Sequence, residues 1–133
     1  MKVEFNLMAD TPNKNGTIYP KDILKKAIDE YNQKQVKIGH GLGELGQPMG
    51  IQTTLTNVAF KINEIEQEDE HWNAEIEILK TPKGDELQEI IKRGEFKIVT
   101  MGVGEFDKNE DGTRTINKFE ITGVGIEPKG NCA

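Results

Sequence analysis

Cysteine is nearly missing from this chain. Cys132 stands alone, so no internal disulfide can form and nothing points to an oxidising compartment. Long apolar runs are missing too. None approaches the roughly 20 residues that a membrane helix needs. Met1-Lys2-Val3-Glu4-Phe5 mixes charge into the first residues, where a secretory leader would be apolar. Clustered positive charge is the third absence. The formal net charge is −6, and the Lys and Arg residues are scattered. A phosphate-binding surface needs concentrated cations, so nucleic-acid binding is not the expected role. No Cys/His spacing suggests zinc. No glycine-rich loop has the strand–loop–helix context of a phosphate cradle, so no cofactor is expected.

What is present reads as one ordinary domain over residues 1–133, long enough to bury a core without disulfides or metals. Val3, Phe5 and Leu7 alternate and predict a first strand. Asp10 to Gly16 is a dense turn cluster. Pro20 opens a helix over Lys21–Gln33, with Ile23, Leu24, Ala27, Ile28 and Tyr31 at helical spacing and Asp22 in the first turn. Val36 to Ile38 is a short apolar piece. Gly39 to Pro48 carries four glycines and reads as a loop with unusual backbone angles. A strand is expected over roughly Thr53 to Ile65, then one in which Trp72, Ala74, Ile76 and Ile78 face one way and Asn73, Glu75 and Glu77 the other. The acidic run Glu64, Glu66, Glu68, Asp69 and Glu70 between them reads as a solvated hairpin loop. Thr81 caps a second helix, Pro82–Lys92, which ends at Gly94. Phe96 to Val103 is a central strand. A turn over Asp107 to Gly112 leads to a last strand or strand pair, Thr113 to Ile126. Most strand pairs are sequential hairpins. The expected fold is therefore α+β, an antiparallel sheet or partly closed barrel flanked by two helices.

Five segments then match one family in order and spacing. Asn13 to Pro20 resembles an "N-x-N-x-R-x-Y-P" approach to the first helix. Gly43-Glu44-Leu45-Gly46-Gln47-Pro48 resembles a "G-E-L-G-H-P" loop. Trp72 to Gly84 resembles a strand followed by "T-P-x-G". Arg93 to Gly104 resembles "A-G-V-x-x-G-x-S-S-R-G-x-G", and Ile121 to Pro128 resembles a closing "I-D-I-V-x-x-P-S". These are the segments of tailed-phage prohead (capsid-maturation) proteases, whose fold is similar to that of the herpesvirus assembly proteases. The resemblance implies a serine protease that cuts scaffold and capsid proteins inside the immature head.

The chemical positions depart from that pattern. The family's His falls on Gln47, and an amide cannot act as general base near neutrality. Its Ser pair falls on Val99 and Thr100, and its Arg on Met101. A Thr hydroxyl without a base is a weak nucleophile, and its branched Cβ crowds the attack path. Gly102 and Gly104 are kept. His40, in the glycine-rich stretch, is the one candidate to rescue a base; its bland reading is a surface histidine. His71 reads as a solvent-facing neighbour of Trp72. Asp107, Asn109 and Asp111 form the first half of a calcium loop, but Lys118 stands where the bidentate Glu belongs, so a metal-free turn is expected.

Two functions stay open on this reading. One is a non-catalytic virion or head-assembly protein that binds phage capsid, scaffold or other virion proteins, in a form compatible with a homo-oligomer. The other is an active maturation protease with a divergent Thr/His arrangement. A small binding module of a host or mobile element is a weaker third. The first two place the chain in a phage virion or prohead assembled in the bacterial cytoplasm, away from membranes.

Overall fold

The computed structural model describes residues 1–46 and 57–128. Alternation sets its strands. In β1 (Lys2–Met8), Val3, Phe5 and Leu7 are buried while their neighbours are not. In β5 (His71–Ile78), Trp72, Ala74 and Ile76 are buried and Glu75 and Glu77 exposed. The remaining strands are β2 (Thr17–Ile18), β3 (Leu42–Leu45), β4 (Val58–Glu68), β6 (Phe96–Lys108) and β7 (Arg114–Pro128). Six of them close a ring, β7-β3-β4-β5-β1-β6 and back to β7, and β2 adds to β7. Phe5, Phe60, Ile62, Trp72, Ile98 and Ile126 fill its core. Each such side chain contributes about 1.5–3 kcal/mol by leaving water.

The pairings β1–β5, β3–β4, β4–β5 and β6–β7 are antiparallel. Three others, β1–β6, β2–β7 and β3–β7, are parallel, so the barrel is mixed. Each parallel pair joins strands far apart in sequence, which no hairpin signal announces. Helix α1 (Lys21–Tyr31) lies on β7 and buries Leu24, Ala27, Ile28 and Tyr31. Its first N–H, on Lys21, donates to Asp10 Oδ1 at 3.0 Å. Helix α2 (Pro82–Ile91) starts as its sequence says. Thr81 Oγ1 accepts from Gly84 N at 2.9 Å and donates to Val58 O at 2.6 Å, tying the cap to β4.

Three sequence expectations change. The glycine-rich stretch is not all loop, because β3 lies within it. Gly43 fits there because the Phe60 ring occupies the place of a Cβ. The acidic run is mostly strand: Glu64, Glu66 and Glu68 belong to β4, and only Asp69, at φ 53°, and Glu70 make the turn. The apolar piece at Val36 is the end of a π-helical turn, Asn32–Val36, that continues α1. The first part of the strand expected from Thr53 lies outside the described residues.

Tyr31 yields a pH prediction. Burial pushes its phenol from 10.0 up to about 12. Below pH 10 the group is neutral in both folded and unfolded chains, and its stabilising effect is complete. Above it the unfolded chain ionises first, so stability falls as pH climbs toward 12, by about 3 kcal/mol in all. Urea midpoints of wild type and Tyr31→Phe at pH 8 and pH 11 read this. The wild type should lose about 1 kcal/mol more than the variant at pH 11; equal losses would reject the assignment.

Candidate functional site

The two strands that carry the motif residues both flank β7. On one side β3 places Glu44 opposite Gly125 and Leu45 opposite Ile126. On the other side β6 places Val99 opposite Gly125 and Thr100 opposite Val124. Directly paired residues share a face. Leu45, Ile126, Ile98 and Phe5 therefore make one row on the core side. The next row, Val58–Glu44–Gly125–Val99, lies on the opposite face. Two strand spacings put Val99 and Glu44 about 10 Å apart between Cα atoms. Both are buried, at 3% and 4% exposure, and Glu44 is one of two buried polar residues among those described.

This parity separates Val99 from Thr100, the two residues that the motif resemblance sets against the family's Ser pair. Val99 stands on the face of Glu44. Thr100 pairs with Val124, a core residue, and so carries its hydroxyl on the barrel's inner side. The residue that shares a face with Glu44 is thus the one with no hydroxyl. Sequence alone treated the pair together, since only register assigns a face.

Gly46 follows β3 at φ 86°, and its N–H bonds Ile126 O at 2.8 Å, so the chain turns there. Gln47 comes next in sequence and lies outside the described residues. His40 is exposed, upstream of β3, with its N–H bonded to Gln35 O at 2.8 Å. Thr100 is level with the residue preceding Glu44. Three residues of chain and two strand spacings then separate His40 from Thr100, on the order of 14 Å. The structure does not bring them together. His71 is half-buried in β5, and its Nδ1 is enclosed without a hydrogen bond. It sits across the barrel from β7.

Gly102 and Gly104 have a packing role. A Cβ on Gly102 would meet the Phe119 ring at 2.5 Å, and one on Gly104 would run into Lys118 O. The register of β6 on β7 slips between Met101 and Gly102, and these glycines let the strands cross closely. Phe119 in turn meets Tyr19 edge-on, with ring centres 5.2 Å apart.

The turn with the calcium-loop pattern spends its side chains on itself. Asp111 Oδ1 accepts from Thr113 N at 2.9 Å and Oγ1 at 2.6 Å. Those bonds hold the Asp111 carboxyl below its ordinary range, the hydroxyl bond first. Asn109 Nδ2 donates to Thr113 and Thr115, and Asp107 accepts from Asn117 Nδ2 at 3.0 Å. Among the described residues no three acidic, His or Cys side chains converge as a metal site would require.

Sequence reading missed Arg114, which stacks on Phe106 with its guanidinium carbon 5.2 Å from the ring centre. It also missed Glu44 as a buried carboxylate; the only signal was its place in the "G-E-L" segment.

Comparison with known proteins agrees with this architecture. The 125-residue stretch similar to the prohead core protein protease of Enterobacteria phage T4 is 29% identical and covers 91% of this chain. The chain spans 58% of that relative's length. The solved structure of the bacteriophage T4 capsid assembly protease, gp21, is similar with a TM-score of 0.82 at 25% identity, over 94% of this chain and 79% of that one. The family model described as prohead core protein serine protease matches residues 3–129. With that match over nearly its whole length, the chain belongs to the prohead core protein serine protease family.

Proposed function

We propose that this chain is a non-catalytic phage head-assembly protein that keeps the protease framework and uses it to bind capsid or scaffold components. The observation that carries this reading is the split of Val99 and Thr100, the residues set against the family's Ser pair, between two faces. Val99 shares a face with Glu44 and has nothing to attack with, while the hydroxyl of its neighbour Thr100 belongs to the opposite face. The sequence adds Gln47 in the family's His position and Met101 in its Arg position. A nucleophile and a base act as a unit, and loss of either typically costs on the order of 10⁴-fold or more in rate.

The test incubates the purified protein with the capsid and scaffold proteins of its phage, beside a Thr100→Ala variant, and follows cleavage by mass spectrometry. Both proteins should leave the substrates intact. Cleavage by the wild type that vanishes in Thr100→Ala would establish a divergent protease instead. A second arm combines Val99→Ser with Gln47→His. Cleavage by that double variant alone would mean that the framework survived and only the chemistry was lost.

A further inference from the structure

The barrel wall across the ring from β7 presents an acidic outer face. Phe5, Ile65, Trp72 and Ala74 turn inward, so the residues between them turn out. Glu4 stands on β1, Glu75 and Glu77 on β5, and Glu64, Glu66 and Glu68 on β4. Register sets them side by side. Asn73 lies between Glu4 and Glu66, and Glu75 lies opposite Glu64. Neither helix covers this part of the wall. Helix α1 lies on β7, and α2 is tied to the start of β4 through Val58. Glu64, Glu66, Glu68 and Glu75 are all exposed.

The charges on this face are unevenly answered. Lys97 reaches Glu4 at 3.5 Å, and the N-terminal amino group meets Glu75. Lys2 crosses β5 to place its Nζ 3.5 Å from both Glu66 and Glu68. Glu64 has no ion pair among the described residues, although it stands directly opposite Glu75. Like charges opposite each other on neighbouring strands destabilise a sheet. A second feature does not depend on charge. Asn73, in the middle of the face, is only 8% exposed, yet its amide makes no hydrogen bond among the described residues. An amide covered in this way is stabilised by a partner that brings polar atoms of its own.

We propose that this face binds a lysine- or arginine-rich segment of another head protein, laid along β4 in extended form with cations at alternate positions. The proposal rests on the non-catalytic binding reading and names the chemistry of the partner. Outward residues of a strand repeat at about 7 Å, and so do alternate side chains of an extended segment. Glu64, Glu66 and Glu68 therefore form a row that such a segment matches in spacing. Lys2 shows how a cation sits there, since its Nζ bridges two successive carboxylates of the row. A bound segment would continue that arrangement at Glu64 and relieve its repulsion with Glu75, while its backbone offers partners to the Asn73 amide. A second copy of this chain fits less well. Its α1, at the opposite pole, mixes Lys25 and Lys26 with Asp22 and Asp29, and Lys25 already pairs with Asp29 at 2.7 Å.

The experiment uses the full chain and two fluorescent peptides of about nine residues, one alternating Lys with Ser and one with the same residues in two blocks. Anisotropy at about 50 mM salt should give the alternating peptide a micromolar Kd and the block peptide a value about fivefold weaker. Glu64→Gln with Glu66→Gln should weaken the alternating peptide about tenfold. Glu86→Gln with Glu89→Gln on α2 removes the same charge elsewhere and should leave it within about twofold. Asn73→Ala should weaken it about threefold. In the free protein, Glu64→Gln should raise the melting temperature by about 1–3 °C, because it removes a repulsion. No binding up to about 1 mM, an equal loss from the α2 pair, or spermidine binding as tightly as the alternating peptide would overturn the proposal. Sedimentation with proheads of its phage separates the proposal from the reading beneath it. Loss of sedimentation in the Glu64/Glu66 variant alone supports both. A variant that sediments like wild type ends the acidic-face proposal and leaves head binding standing. A wild type that stays in the supernatant ends head binding, and the proposal with it.

Discussion

Gly84→Ala should lower the melting temperature by roughly 10–20 °C, the largest effect expected of any single methyl group here. Gly84 lies in the first turn of α2, where its N–H bonds the Thr81 cap. A Cβ there would be driven into Leu79 O and would stand 3.1 Å from Ala59 O. Both obstacles are backbone, and they are held to each other, since Leu79 N bonds Ala59 O at 2.9 Å. Neither can step aside as a side chain would. The helix start must lift instead, which breaks the Thr81 bonds to Gly84 and to Val58. We expect about 3–5 kcal/mol, at the upper end for added volume in a packed site. Two other glycines calibrate the result. Gly94 has open space around it and should tolerate Ala without loss. Gly46 also has space but sits at φ 86°, so Ala there should cost about 1 kcal/mol from the backbone alone. A Gly84→Ala melt within about 3 °C of wild type would show that the tight helix start is wrong.

The second large effect belongs to Gly43 and Phe60, and the informative quantity is their coupling. A Cβ on Gly43 would enter the Phe60 ring, which is fully buried and has nowhere to turn. Gly43→Ala should therefore cost about 3 kcal/mol. Phe60→Leu alone opens space and should cost about 1–2 kcal/mol. The double variant refills with one methyl part of what the ring vacated. Its cost should fall short of the sum by at least about 1 kcal/mol, a coupling that chemical denaturation of the four proteins measures directly. Simple additivity would mean that β3 is not clamped on β4 by this contact. The pair also bears on the site, because β3 is the strand that sets Glu44 opposite Gly125.

Much of the architecture is legible in the residues because it is local. The alternation from Trp72 to Ile78, the Thr81-Pro82 start of α2 and the Pro20 start of α1 each encode their element within a few positions. Strand β3 is hidden because its glycine answers to Phe60, some seventeen residues on, and not to its own backbone preference. The parallel closures, β1–β6 and β3–β7, are equally silent, since each is decided by packing between distant segments. The acidic run misleads for a different reason. Polar residues on the solvent face of a long strand carry the same composition as a loop. At the site, motif matching sets single residues against the family's pattern, but the faces of Val99 and Thr100 need the register of three strands.

The three pairings of β7 carry a cost in the order of synthesis. Its partners β2, β3 and β6 are all made earlier, and none can take its final neighbour until Arg114–Pro128 has left the ribosome. The growing chain can form the β4–β5 hairpin early, yet the ring stays an open ribbon. Its apolar inner face, Ile98 included, is uncovered until nearly the last residues described. Non-local closure of this kind is slow and leaves strand edges exposed. On a crowded polysome, that interval is when neighbouring nascent chains compete for the same edges.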